Sequence, residues 1–285
     1  MIAAALLLPL ALLGAAPDAG PLRLLGPRPA GEVRRVVTLA PSLTDLVLAL
    51  GAGERLVGVS RFDERPEVAS LPRVGGFVDP SVEAVVGLHP DLVLVQPGPG
   101  NKRPVEAMAE LGTPVLLLPL DTVADVLAAE RAVGKALGRT EEGERLARQL
   151  ETARSEVRGR SQRRKPVRAL LVFGFDPLVV AGPGGFADEL LGDVGATNVA
   201  ADAGSSYAVY SVERAILTRP ELIIDAADVP GSKERLRAMP GLREARWVSL
   251  PDRSLLHPGP ALEQGLAQLE ALIAPPPPPR SEARP

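Results

Sequence analysis

Two glutamates, Glu83 and Glu213, stand out by repetition. Ser81-Val82-Glu83 recurs as Ser211-Val212-Glu213, Pro90-Asp91 as Pro220-Glu221, and the run DLVLV as ELIID, all at one offset of 130 positions. Agreement of several residue types at one offset, in the same helix-then-strand setting, points to a duplicated unit rather than coincidence. Each glutamate falls in the first turn of its predicted helix, where a carboxylate complements the helix dipole by about 0.3–1 kcal/mol. A matched pair on two similar lobes also offers two attachment points for paired arginines on a two-fold symmetric partner. The residues alone leave both readings open.

Aromatic residues make up only 3% of the chain, so their positions carry information. Phe62, Phe77, Tyr207 and Tyr210 fall in predicted loops at strand ends or before helices, where a ring is little needed for packing and can face a ligand. Phe175 joins them as a ligand-facing candidate, whereas Trp247 lies in a short strand and reads as core. The turn Ala40-Pro41-Ser42 leads from a strand into a helix whose opening turns hold Thr44 and Asp45. Such a strand end is where α/β proteins bind ligands, so Pro41 and Ser42 are candidates for contact; Ser42 serves equally as a simple helix cap.

The chemistry the sequence lacks is as informative. There are two histidines, His89 and His257, each before a proline. A mononuclear metal centre needs three or four converging ligands, so none is expected. His89 ends a helix and is expected to be exposed; His257 precedes the last helix and is a candidate for the cleft. The glycines of residues 180–185 are not followed by the Lys and Ser/Thr of a phosphate loop. No G-x-S-x-G, H-E-x-x-H or comparable nucleophile–base context occurs, and neither catalysis nor a resident cofactor is expected.

The elements that must position these residues alternate. From Arg34 the runs VVTLA, RLVGVS, DLVLVQ and PVLLLP are interleaved with amphipathic stretches, and VRALLVFG, LVVAG, LIIDA and RWVSL repeat the rhythm. This predicts an α/β fold of two lobes, each with a central parallel sheet flanked by helices. The expected spans are 34–120 and 163–274. Between them residues 121–162 carry apolar positions at helical spacing and no proline, predicting one long rigid helix, or two with a break near Gly138.

Residues 1–16 read as a signal peptide, an Ala/Leu/Pro run ending in Gly14-Ala15-Ala16, although no Lys or Arg precedes it. Residues 17–33 are expected to be a flexible segment, and the proline-rich tail 275–285 to be disordered. The absence of cysteine excludes disulfides and a lipid-attachment residue at the signal junction. An exported, untethered protein fits the periplasm between two membranes. The net charge of −3 provides no basic field for nucleic acid.

Three segments carry a family resemblance: RVVTLAPSLTDLVLALGAGERLVGVS, LPRVGGFVDPSVEAVVGLHPDLVLV and SVERAILTRPELIIDA. They resemble the periplasmic binding proteins for vitamin B12, haem and ferric siderophores, over about Arg34 to Ile273. The resemblance implies a soluble, monomeric receptor with two lobes on a backbone helix and a shallow cleft between them. It further implies delivery of a large ligand to an inner-membrane ABC permease dimer, docked through Glu83 and Glu213. By motif position Phe62, Phe77 and Tyr207 replace aromatics that flank a corrin, and the loop holding Arg253, Leu256 and His257 forms another wall. Gln96 and roughly Val179 stand where the resemblance implies further aromatics. The expected ligand is a cobalamin-like corrinoid, with a ferric siderophore or haem as alternatives, and a signalling or scaffolding domain as a different class of role.

Overall fold

A computed structural model describes residues 22–98, 100–227, 233–252 and 254–273. The predicted signal peptide, the proline-rich tail and Arg253 lie outside the described residues. The first lobe comprises β1 (Arg23–Leu25), β2 (Val36–Thr38), α1 (Pro41–Ala49), β3 (Leu56–Gly58), α2 (Val82–Gly87), β4 (Leu92–Val95), α3 (Lys102–Glu110) and β5 (Val115–Leu117). Its sheet has the order β1-β5-β4-β2-β3, with β2 to β5 parallel. Parallel strands covered on both faces must be apolar throughout, as LVLV of β4 is, and all four of those residues are buried.

The stretch expected to be flexible up to residue 33 instead contributes β1, antiparallel to β5, with Arg23 opposite Leu117. The physical reason is the open edge of β5: its unpaired backbone groups are satisfied by three residues of extended chain, and Leu25 packs on the lobe's core.

The connection takes the second of the two forms anticipated, a pair of helices with the break near Gly138 instead of one long helix: α4 (Val123–Ala136) and α5 (Thr140–Ser161). Thr122 and Asp125 form a reciprocal capping box that starts α4. The break falls at Gly138, whose φ of +65° ends the first helix. Gly143 lets the two helices touch, since a Cβ there would lie 2.6 Å from the Glu130 carbonyl oxygen. Arg55 of the first lobe donates to the Leu137 carbonyl at 2.9 Å, fixing the turn.

The second lobe comprises β6 (Val167–Phe175), β7 (Leu178–Ala181), α6 (Phe186–Asp193), β8 (Ala196–Asn198), β9 (Tyr207–Val209), α7 (Val212–Leu217), β10 (Leu222–Asp225), α8 (Lys233–Arg237), β11 (Arg246–Ser249) and α9 (Leu262–Ile273). Its sheet runs β11-β10-β6-β7-β9, with β8 also on β6. It is mixed rather than parallel: β10, β11 and β8 are parallel to their neighbours, but β7 is antiparallel to both β6 and β9. Only Asp176-Pro177 separate β6 from β7, and a parallel return requires a crossover of a dozen residues or more.

Helix α5 is fastened to this lobe. Arg154 and Arg158 both meet Asp193 of α6, and Arg160 bonds Glu270 of α9 at 2.7 Å. Glu189 of α6 accepts from the Val123 amide at the start of α4 (3.0 Å) and from Arg154 (2.9 Å). One continuous apolar core runs from Val36 and Leu43 through Val126, Val133 and Leu150 to Leu171, Ile224 and Leu266. The lobes therefore share a core as well as a connector.

The 130-residue offset is a structural repeat. Ser81 caps α2 by accepting from the Ala84 amide (3.2 Å), and Ser211 caps α7 by accepting from the Arg214 amide (3.1 Å). Both helices lead into a residue of positive φ, His89 at 47° and Arg219 at 46°. The carboxylate of Asp91 then accepts from the Arg35 amide (2.9 Å), and that of Glu221 from the Arg168 amide (3.0 Å). Arg35 and Arg168 also donate to the carbonyls that close the two helices.

Candidate functional site

The carboxyl ends of the first sheet's parallel strands face the second lobe, and Pro41, Phe62, Phe77 and Gln96 follow the strand ends on that side. Beyond β5, the Asp121 carbonyl accepts from the Phe186 amide at 2.7 Å, bringing the second lobe alongside. Tyr207 on β9 sits here, half-buried, its ring centroid 4.9 Å from Phe173 and 6.1 Å from Phe186. Burial, with the Asp121 carboxylate adding to it, pushes the Tyr207 hydroxyl well above the usual tyrosine range.

Beyond β4 lie Gln96 and the loop of Phe77, held together by Asn101. This side chain, 1% exposed, donates to the carbonyls of Phe77 (2.7 Å) and Gln96 (2.8 Å) and accepts from the Gly98 amide (3.0 Å). Gly98 is packed against the Phe77 ring; a Cβ there would lie 2.7 Å from it. Beyond β3, Phe62 is half-buried with the Arg61 guanidinium 5.4 Å over its ring, and Arg61 in turn pairs with Asp79.

Beyond β2, Pro41 opens α1 at its first position. Ser42 departs from expectation: Ala40 is the cap residue, and Ser42 is buried, with Gly259 packed over its carbonyl. Pro41 thus faces the cleft and Ser42 does not. Phe175 also leaves the ligand-facing set. Along β6, Ala169, Leu171 and Phe173 face the shared core, and Leu170 and Val172 the outer core of the second lobe. A register shift between Val172 and Gly174 then turns Phe175 outward, stacked 6.3 Å from Trp247. Tyr210, at first reading a loop aromatic, is buried in that outer core and donates to Asp202 at 2.8 Å.

Next to Phe62 a cavity of about 330 Å³ opens between the lobes. Its first-lobe wall includes Pro41, Asp45, Asp63 and Arg65; its second-lobe wall includes Asp252 and His257. Asp45 accepts from Arg65 at 2.7 Å, and His257 Nδ1 lies 3.7 Å from its other oxygen. Burial opposes ionisation of Asp45, but His257 and Arg65 outweigh it and hold the carboxyl below the usual range. Asp252, exposed at the cavity rim, is likewise held low: partial desolvation opposes this, and neutral donors outweigh it, the Ser254 amide (2.8 Å) and the side-chain amides of Gln268 (2.7 Å) and Gln264.

Asp63 differs from both. It is 5% exposed and neither carboxylate oxygen makes a hydrogen bond of normal geometry. Burial pushes its carboxyl above the usual range, against the pull of the nearby Thr44 hydroxyl and Arg73. Leu256 is half-buried against the shared core beside His257. Asp63, Asn101 and Asp252 were not selectable from sequence: acids and an asparagine in loops have no spacing that marks them, while Asp45 sits in α1 and Phe173 on β6. Glu83 and Glu213 stand apart from the cavity, both exposed, in the first turns of α2 and α7. Among the described residues no three His, Asp or Glu side chains converge as a metal ion would require.

The family model described as periplasmic binding protein matches residues 36–244. A vitamin B12-binding protein of Yersinia pseudotuberculosis serotype O:3 (strain YPIII) is 29% identical over 197 residues, 69% of this chain and 70% of that protein. Among solved structures, the periplasmic haem-binding protein RhuT from Roseiflexus sp. RS-1 superposes with a TM-score of 0.73 at 28% identity, covering 86% of this chain and 100% of that one. The periplasmic vitamin B12-binding protein BtuF of Vibrio cholerae superposes with a TM-score of 0.72 at 23% identity, covering 84% and 96%, a likeness of fold.

Proposed function

Because the chain belongs to the periplasmic binding protein family, we propose that it is a non-enzymatic receptor that captures a cobalamin-like corrinoid between its lobes and delivers it to an inner-membrane ABC permease. The observation that carries this reading is the row of half-buried rings, Phe62, Phe77 and Tyr207, along one interlobe edge, at the positions matched to a corrin-flanking motif. Large flat faces gain most from such rings, by contact area and by exclusion of water. The vitamin B12-binding relatives support the same ligand.

Release follows from docking rather than from wide hinge opening. Exposed Glu83 and Glu213, one per lobe on repeated capped helices, meet arginines on the two halves of the permease. Export to the periplasm as an untethered monomer completes the reading.

The similarity to RhuT favours haem as a second reading. Side-by-side visible-absorbance titrations with cyanocobalamin, haemin and a ferric hydroxamate separate the ligands. Saturable binding of cyanocobalamin alone is the expected result, and binding of an iron chelate without cobalamin overturns the corrinoid assignment.

A further inference from the structure

The cavity beside Phe62 has a charge pattern that the aromatic edge does not explain. Acidic residues reach it from both lobes: Asp45 and Asp63 from one, Asp252 from the other. The charge of Asp45 is answered by Arg65 and His257. Among the described residues that of Asp252, exposed at the cavity rim, meets no cation: its partners are the Ser254 amide and two glutamine amides, which orient the carboxylate without cancelling it. In the same wall, neither oxygen of the buried Asp63 makes a hydrogen bond of normal geometry.

A buried carboxylate without a donor is costly, and a group that supplies one recovers part of that cost. Like charge brought into the same partly desolvated space is repelled more strongly than in water. The two facts act in one direction: they favour donors and disfavour anions.

We propose that this cavity is the subsite that selects a ligand's uncharged hydrogen-bond donors, primary carboxamides above all, and turns carboxylates away, with Asp63 and Asp252 as its specificity-determining residues. The inference rests on the corrinoid reading and sharpens it. A corrin carries carboxamides around its rim, whereas haem carries two propionates on one edge. The cavity therefore acts with the rings: Phe62, Phe77 and Tyr207 accept a flat macrocycle of either kind, and the acids decide which rim can settle between the lobes.

The test is calorimetric titration of the wild-type protein, Asp63→Asn and Asp252→Asn with cyanocobalamin, with its monocarboxylic acids, in which one rim amide is hydrolysed, and with haemin. The expected result is that at least one monoacid binds the wild type tenfold or more weakly than cyanocobalamin. Asp63→Asn or Asp252→Asn recovers most of that loss and strengthens haemin binding, with melting temperatures no lower than wild type. Equal affinity for cyanocobalamin and every monoacid, or an unchanged preference in both variants, overturns the inference and leaves the corrinoid reading standing. Failure of the wild type to bind cyanocobalamin at all sinks that reading and this inference together.

Discussion

Glu130 on α4 is 1% exposed, and its Oε2 makes no hydrogen bond. Burial pushes its carboxyl up to about 7; Arg131 opposes this, and Glu151 and Glu263 add to it. The folded protein therefore holds a proton that the unfolded chain releases near 4.5, so stability falls as pH rises from about 4.5 through about 7 and then levels off. Glu130→Gln is expected to gain roughly 1–3 kcal/mol at pH 8 and almost nothing at pH 4, read as a difference in denaturant midpoints. The cleft rings give the opposite kind of prediction. Alanine at Phe62, Phe77 or Tyr207 should weaken cobalamin binding about tenfold or more each with modest change in stability. Phe175→Ala should cost about 3–5 kcal/mol of stability, the ordinary loss for a core phenylalanine. At this scale the sequence was partly legible: ring type and loop position singled out Phe62 and Phe77, whereas Tyr207, expected in a loop, begins β9. Which of Phe173 and Phe175 faces the shared core depends on a one-residue shift in β6, and alternation cannot reveal a bulge.

The elements most legible in advance were the repeated ones, since Ser caps, prolines and acids at one offset imply equal local geometry; even the positive φ of His89 and Arg219 repeats. Less legible was the direction of β7, because its strand pattern is the same whichever way it pairs. The break at Gly138 was one of two forms that periodicity allowed, and only the packing of Gly143 on Glu130 decides for the hairpin. Gly143→Ala should gain helix propensity yet lose about 1–3 kcal/mol overall, because its methyl group forces α4 from α5; thermal denaturation measures the balance. Reversal of both acids, Glu83→Lys with Glu213→Lys, should abolish permease-dependent uptake while leaving ligand affinity unchanged. Normal uptake by the double variant contradicts docking through α2 and α7.

For the whole molecule the consequence is stiffness. The shared core, the salt bridges from α5 to α6 and α9, and Arg55 at the hairpin turn leave no bare linker to act as a hinge. Empty and loaded protein should differ little in small-angle scattering, with the radius of gyration changing by under about 1 Å. The two-lobe architecture was legible because strand and helix runs alternate throughout. The ligand was not, because the acids that shape the interlobe cavity come from segments almost 200 positions apart, Asp63 and Asp252, and meet only in the folded chain. The central claim, a corrinoid held between the lobes, is tested most directly by isothermal titration of the purified protein with cyanocobalamin, beside a variant with alanine at Phe62, Phe77 and Tyr207. The account predicts saturable one-to-one binding, at micromolar Kd or tighter, that the triple variant loses; no heat of binding from the wild type, or equal binding by both proteins, contradicts it.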